Sequence, residues 1–171
     1  IELRKAIAGE REALKARYRM KPADQYRAYL AERAGSGDAD ALAELRRQRS
    51  PQRVPTGERI EHQTGQQPEA APIMKPAAYK VDQQGNVTYY DQQKRAMFTD
   101  RGEAVEFGQQ ERDTIEQGLR RALAKFGPHI RLRGGSEECN NMMAGVAAAA
   151  DLYAEFSDKS LRDRCSQNRE I

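Results

Sequence analysis

The chain has 171 residues, of which 38% are hydrophobic and 32% are charged, with a mean hydropathy of -0.93 and a net charge of +3. This composition predicts a small hydrophobic core and a part of the chain that is not buried. No apolar run is long enough to cross a bilayer and no signal-peptide pattern is present, which excludes membrane insertion and favours a cytoplasmic protein. So small a net charge does not by itself indicate nucleic-acid binding. Because the chain begins at Ile1 rather than Met, we expect it to be a piece of a longer protein.

Residues 1–49 are predicted to form three basic helices. Leu3, Ile7, Leu14 and Tyr18 trace a sparse apolar stripe through the first helix. Pro22 suits the first turn of the second helix, residues 35–37 end it, and Asp38 or Asp40 caps the third. Because the apolar residues are few, these helices are marginal alone. They can form a hairpin, pair between chains, or rest on a part of the protein beyond this chain.

Basic side chains of this segment, and of the arginine run that follows it, are candidates for contacts with nucleic-acid phosphates. The alternative, with equal weight, is a solvated helix face, since charge runs usually have no other role. The candidates are Arg11, Lys15, Arg17, Arg19, Arg46, Arg47, Arg49 and Arg53.

Residues 50–78 have the composition of a flexible linker. They contain five of the seven prolines together with Gln, Gly and Thr, and they show almost no apolar periodicity. Such a stretch cannot bury enough apolar surface to offset the entropy of ordering it, so we expect a disordered or extended tether.

Residues 79–171 are predicted to form an α+β unit with a mixed sheet and helices mainly on one face. The predicted order is a hairpin of strands 79–81 and 87–91, strands 96–99 and 104–107, a helix over 110–126, and a βαβ unit over 130–156. In the βαβ unit Ser136 is a candidate N-cap, and two strands joined by a helix are expected to run parallel. A last short helix is expected after Ser157 or Asp158, with Leu161 packed.

The turn Gly134-Gly135-Ser136 at a helix N-terminus is a candidate phosphate cradle, helped by Arg131 and Arg133. A plain structural turn is the favoured interpretation, because the spacing of known phosphate-binding loops is missing and two glutamates follow.

Tyr89 is a candidate for base stacking on a sheet face, although alternation places one of Tyr89 and Tyr90 in the core. Cys139, Cys165, His62 and His129 lack the spacing of a metal site. Asp91, Asp100, Asp113 and Asp158 lie where turns and caps favour aspartate. We therefore predict no catalytic residue, metal ligand or cofactor in this chain.

Four pieces of sequence occur in a distinctive order: Tyr89-Tyr90-Asp91, then residues 98–102 (FTDRG), then Lys125-Phe126-Gly127, then residues 135–138 (GSEE). This order resembles the large polyvalent protein-associated domain, seventh type, found toward the C-terminus of relaxases, the mobilisation nucleases of conjugative plasmids. The stretch YRAYLAERAGSGDADALAELRRQR resembles the helical segment that precedes that domain. One departure is AAAADLYAEF after the last helix, which replaces the more usual Gly-Leu turn and basic strand.

The resemblance implies a parent enzyme of the bacterial cytoplasm that nicks DNA at a plasmid transfer origin through a tyrosine. The nuclease site needs three clustered histidines, and this chain has two isolated ones, so the resemblance implies a non-catalytic accessory module. We expect it to bind DNA, single-stranded at the transfer origin, to assist relaxosome assembly, and to recruit the relaxase to the coupling protein of a type IV secretion channel. The alternative is a structural module that self-associates through residues 1–49. A divergent metal-dependent nuclease using aspartates near Gly134 is a third possibility.

Overall fold

The computed structural model describes residues 2–50, 57–62, 78–159, 161 and 163. Three helices come first, followed by strands and two further helices. The elements are α1 (Glu2–Arg19), α2 (Pro22–Gly35), α3 (Ala39–Gln48), β1 (Arg59–His62), β2 (Ala78–Val81), β3 (Val87–Tyr90), β4 (Ala96–Asp100), β5 (Ala104–Phe107), α4 (Arg112–Phe126), β6 (His129–Arg133), α5 (Glu137–Ala149) and β7 (Glu155–Phe156). The predicted α+β class is confirmed.

The strands form one mixed sheet of seven strands in the order β2-β3-β4-β5-β1-β6-β7. All neighbours pair antiparallel except β6 and β7, which are parallel as the predicted βαβ unit requires. The hairpin of β2 and β3 is also confirmed. The last strand is shorter than predicted, since Glu155–Phe156 alone pairs.

Helix boundaries follow the capping residues that the sequence offers. The Asp38 side chain accepts a hydrogen bond from Ala41 N at the start of α3, and Ser136 accepts one from Cys139 N at the start of α5. Each satisfies a backbone N–H that the first helical turn leaves without a partner. Gly127 ends α4 at φ +71°, a conformation that favours glycine.

Residues that pair directly across neighbouring strands point to the same face of the sheet. From Val87 the register runs through Asp100 and Val105 to Ile60 and Leu132, and this inner face is apolar except for Asp100 and the strand ends. The row beside it on the outer face is polar, and its members are Lys80, Thr88, Thr99, Glu106, Arg59 and Arg133.

The helices contact the inner face. Tyr79 Oη donates to Gly35 O at the end of α2 at 2.9 Å, and the Asp100 carboxylate receives side chains from both α3 and α4. Phe107 lies so close to α4 that a Cβ at Gly118 would meet its ring at 2.4 Å. The prediction that the helices lie mainly on one face is therefore confirmed.

Helices α2 and α3 share the core of the sheet. Leu30 and Ala34 of α2 and Leu42 and Leu45 of α3 belong to the same buried cluster as the inner-face residues of the strands. The sequence divides residues 1–49 from the α+β unit at a linker and leaves open whether the two touch; in the structure α2 and α3 pack on the sheet. The reason is that the few apolar residues of α2 and α3 find their partners on the sheet.

Strand β1 lies inside the stretch that the sequence predicts to be a disordered or extended tether, and residues 59–62 are extended but paired within the sheet. Ile60 is the one fully buried residue of the strand, so the sequence has no apolar periodicity there. Backbone pairing with β5 on one side and β6 on the other holds the strand instead. The rest of the predicted linker, residues 51–56 and 63–77, lies outside the described residues.

Two further observations complete the fold. Leu161 is buried, as expected, while most of the predicted last helix lies outside the described residues. No helix in the described part of the chain has both the length and the apolarity needed to cross a membrane.

Candidate nucleic-acid interface

One side of α1 combines basic and apolar side chains in an open groove, which we call the α1 face. Leu14 and Tyr18 are 53% and 83% exposed, although residues of this kind usually lie in a core. At three- and four-residue spacings, basic side chains lie directly beside them on the helix surface. The groove is lined by Arg11, Leu14, Lys15, Tyr18 and Arg19.

The charge of the α1 face is available to a partner. Lys15 pairs with Glu12 at 2.9 Å, and both side chains are exposed, so this ion pair is weak and easily replaced. Within the described residues, Arg11 and Arg19 make no ion pair. Six basic and three acidic residues give α1 a net charge of +3, which equals that of the whole chain. The excess positive charge is therefore concentrated on this one exposed helix.

Arg46 does not belong to that surface, because it is bound within the fold. Its guanidinium lies 3.1 Å from Asp100 Oδ1, and its Nε donates to Gly85 O at 2.9 Å. A Cβ at Gly85 would meet Arg46 Cγ at 2.9 Å, so this close approach requires glycine. Its φ of +73° also favours glycine.

Asp100 is fully buried and receives three cations, a group that we call the Asp100 cluster (Arg46, Asp100, Arg121 and Lys125). Arg121 Nη2 lies 2.7 Å from Asp100 Oδ2, and Lys125 Nζ donates to Asp100 Oδ1. Burial raises the pKa of Asp100, but Lys125, Arg46 and Arg121 outweigh it and hold that pKa well below its usual range. The cluster ties α3, β4 and α4 together, and it holds one negative charge against three positive ones.

The cluster also affects its cations. Burial lowers the pKa of Arg46 more than Asp100 raises it. Burial together with Arg46 and Arg121 lowers the pKa of Lys125 to about 8, although Asp100 acts in the opposite direction.

The remaining predicted arginines of the helical segment have mixed positions. Arg49 pairs with Glu103 at 3.3 Å, donates to the carbonyl of Arg101 and has an 11% exposed side chain. Arg47 is exposed and pairs with Glu44 at 2.8 Å within α3. The side chain of Arg17 and the whole of Arg53 lie outside the described residues. Arg46 and Arg49 are thus poorly placed to bind phosphate, whereas the exposed Arg47 is accessible to it.

Tyr89 is fully buried and its ring stacks on Phe98 with centroids 4.8 Å apart, so no base can reach it. The predicted stacking role of Tyr89 is therefore withdrawn. Of the exposed tyrosines in the described residues, Tyr18 is the most exposed at 83%, and it belongs to the apolar stripe predicted for the first helix.

Arg131 and Arg133 point to the outer face of the sheet, in a mixed-charge row. Arg133 Nε lies 3.9 Å from Glu61 Oε2, and Arg59 Nε lies 2.6 Å from Glu61 Oε1. Acidic side chains interleave with the arginines here, so this face attracts phosphate less strongly than the α1 face.

The glycine turn before α5 is built as a helix start. Gly134 has a φ of +72°, Ser136 caps the helix with its side chain, and Glu137 and Glu138 occupy the first turn. These glutamates already complement the helix dipole, where an anion would otherwise bind. In the described part of the chain, no three His, Cys, Asp or Glu side chains come together as metal ligands.

The seven-stranded mixed sheet and five helices define an α+β fold. The family model of large polyvalent protein-associated domain 7 matches residues 75–169, more than half of the chain. The chain belongs to this family. No curated protein and no solved structure matches it significantly.

Proposed function

We propose that this chain is a non-catalytic accessory module of a conjugative relaxase, which binds DNA through the α1 face and helps to assemble the transfer complex. The observation that carries the proposal is the α1 face itself. Among the described residues, Arg11 and Arg19 make no ion pair and Lys15 pairs weakly with Glu12, and these three cations lie beside the exposed Tyr18. Cations neutralise phosphates, and a tyrosine ring offers a stacking surface for an unpaired base. That combination favours single-stranded over double-stranded DNA.

DNA binding is tested with the triple variant Arg11→Gln, Lys15→Gln, Arg19→Gln. We expect the whole chain to bind a single-stranded oligonucleotide at 50 mM salt, and the variant to bind at least about tenfold more weakly. Because each phosphate contact releases counterions, the slope of log affinity against log salt should fall by about 2 in the variant. Fluorescence anisotropy across a salt series measures both quantities.

A matched control removes the same charge elsewhere on the surface. The triple variant Lys94→Gln, Arg95→Gln, Arg120→Gln alters three exposed residues far from α1 in sequence and should keep the affinity of the unchanged chain. Equal losses in both variants would show that net charge alone acts and would contradict a defined α1 face. The alternative of self-association draws on the exposed Ile7 and Leu14. No DNA affinity at 50 mM salt, together with a dimer in sedimentation equilibrium, would favour it.

Recruitment to the coupling protein of the secretion channel is the second half of the proposal, and it rests on the resemblance of the sequence to the domain found in relaxases. In the parent relaxase, deletion of the whole module should reduce DNA transfer between cells while the nicking activity is kept. Transfer at the unchanged rate after that deletion would contradict the recruitment role.

A further inference from the structure

Strand β1 lies in the sheet between β5 and β6, neither of which is its neighbour in sequence. β5 and β6 both pair antiparallel with β1, so they run parallel to each other, and α4 connects them. Both belong to the stretch that matches the family, residues 75–169, whereas β1 precedes it. The family domain thus forms a groove, bounded by β5 and β6, and a segment from outside the domain fills it.

The backbone of the groove pairs with the segment on both sides. The register joins Ile60 to Val105 in β5 and to Leu132 in β6, and Phe107 N donates to Glu58 O at 2.9 Å just before the strand. Two ladders on one short strand are the arrangement by which sheets accept an added peptide strand. Main-chain hydrogen bonds supply affinity in such complexes, and side-chain pockets supply specificity.

Side chains of the groove contact the segment at defined positions. Ile60 is fully buried. Glu58 accepts hydrogen bonds from Gln110 Nε2 at 2.9 Å, just before α4, and from Cys139 Sγ at 2.8 Å in α5. At Gly57 a Cβ would lie 3.3 Å from Glu106 Oε1. The groove therefore makes its side-chain contacts at a glycine, at an acid and, two positions after the acid, at an aliphatic residue.

The thiol of Cys139 is a hydrogen-bond donor in this contact. Burial and the neighbouring Glu58 carboxylate raise the pKa of Cys139 to about 12, so the sulfur keeps its proton at neutral pH. A protonated thiol favours an acidic side chain at the position of Glu58.

We propose that the groove between β5 and β6 is a peptide-binding site for an extended segment of the pattern small-acid-any-aliphatic, and that residues 57–62 of this chain are its tethered ligand. The tether keeps the site filled, because a linked segment acts at an effective concentration on the order of millimolar. Residues 49–56 connect the segment to α3, and residues 63–77 connect it to β2 at the far edge of the sheet. A free peptide competes once the connections are cut.

The test uses the whole chain with a site for a sequence-specific protease within residues 51–56 and another within 66–72. After folding and cleavage, the protein is mixed with an excess of a fluorescent peptide that copies residues 55–64. We expect the peptide to enter at least about tenfold faster than the core amide of Leu119 exchanges its hydrogen, because the strand leaves without global unfolding. Gel filtration with fluorescence detection follows the uptake.

Two controls define the site. The uncut chain should take up little peptide, and a peptide carrying Ile60→Asp should not enter the cut chain. Uptake only at the rate of global unfolding would overturn the proposal, because β1 would then be an ordinary structural strand. Equal uptake of the Ile60→Asp peptide, or by the uncut chain, would also overturn it.

A second variant keeps the test open if the cut chain does not stay folded. In the uncut chain, Ile60→Asp places a charge in the core and should displace the tethered segment. The unmodified peptide should then raise the thermal midpoint of this variant with increasing concentration, as a ligand of the folded state does. The midpoint of the unchanged chain should stay constant. No rise in the variant would contradict the peptide-binding site.

Discussion

Replacing Asp100 with asparagine is expected to lower the free energy of unfolding by about 3 to 5 kcal/mol, the usual effect of removing one partner from a buried ion pair. Asparagine has nearly the same shape, but the change removes the charge and replaces one acceptor oxygen with an amide group that donates. Urea denaturation at pH 7 measures the loss.

The size of this effect follows from the burial of the group. Arg121 and Lys125 have side chains that are 1% and 2% exposed, and Asp100 is the carboxylate that both contact. Without that carboxylate, both cations lose a charged partner at a depth where they cannot recover their hydration, so the folded state bears a large cost of desolvation. Arg46 of α3 depends on the same carboxylate. We therefore expect the amides of α3 to exchange hydrogen faster in the Asp100→Asn variant as well.

A matched substitution at the surface provides the control. Asp91 accepts hydrogen bonds from Gln93 N and Arg95 N of its own turn. Like Asp100 it pairs with an arginine, but it lies in an exposed hairpin. Asp91→Asn keeps the acceptor oxygen and should leave the thermal midpoint close to that of the unchanged chain. A loss of under about 1 kcal/mol for Asp100→Asn would show that water reaches the cluster and would contradict its burial.

Adding Lys125→Met to Asp100→Asn should restore part of the lost stability, since one of the buried cations is then absent. The double variant measures the coupling between Asp100 and Lys125, because the effects of contacting residues do not simply add. Strictly additive losses would argue against a shared electrostatic origin.

Much of the fold could be predicted from local sequence patterns. Pro22, Asp38 and Ser136 are start signals that act on their own helix turn, and alternation gave the strands of the β2–β3 hairpin. These signals involve neighbours a few residues apart, which the sequence displays directly.

What the sequence did not predict depends on partners distant along the chain. Asp100 was interpreted as a turn residue and Arg46 as a surface cation, yet they meet across 54 positions. β1 has one fully buried residue, and backbone pairing with both neighbouring strands holds it in place. A polar residue whose partners come from other elements carries no local sign of burial, so its sequence neighbours indicate a solvated side chain.

The pieces of the family pattern meet in space, which gives the pattern a structural meaning. Tyr89 stacks on Phe98, and Asp100 binds Lys125, so three of its four pieces form one connected part of the core. The fourth piece contains Ser136, which caps α5. The α1 face lies outside the matched stretch, so the pattern explains the fold of the module and the candidate interface comes from the segment before it.

The second large effect is a dependence of stability on pH between about 8 and 10.5, caused by Lys125. In the folded chain its pKa is about 8, whereas in the unfolded chain it has the ordinary value of 10.5. Between these values the unfolded state binds more protons, so the free energy of unfolding rises as the pH rises. Below pH 8 both states hold the proton, and this source of pH dependence is absent.

Lys125→Met isolates the effect, since all other titrating groups are common to both proteins. From pH 7 to pH 10.5, the free energy of unfolding of the unchanged chain should rise relative to that of Lys125→Met by up to about 3 kcal/mol, the equivalent of the pKa difference. Urea denaturation of both proteins at pH 7, 9 and 10.5 measures the difference. A flat or falling difference would mean that Asp100 keeps Lys125 charged throughout this range. The rise in stability with pH requires that the third positive charge beside Asp100 destabilises the folded state, and a flat difference would show that it does not.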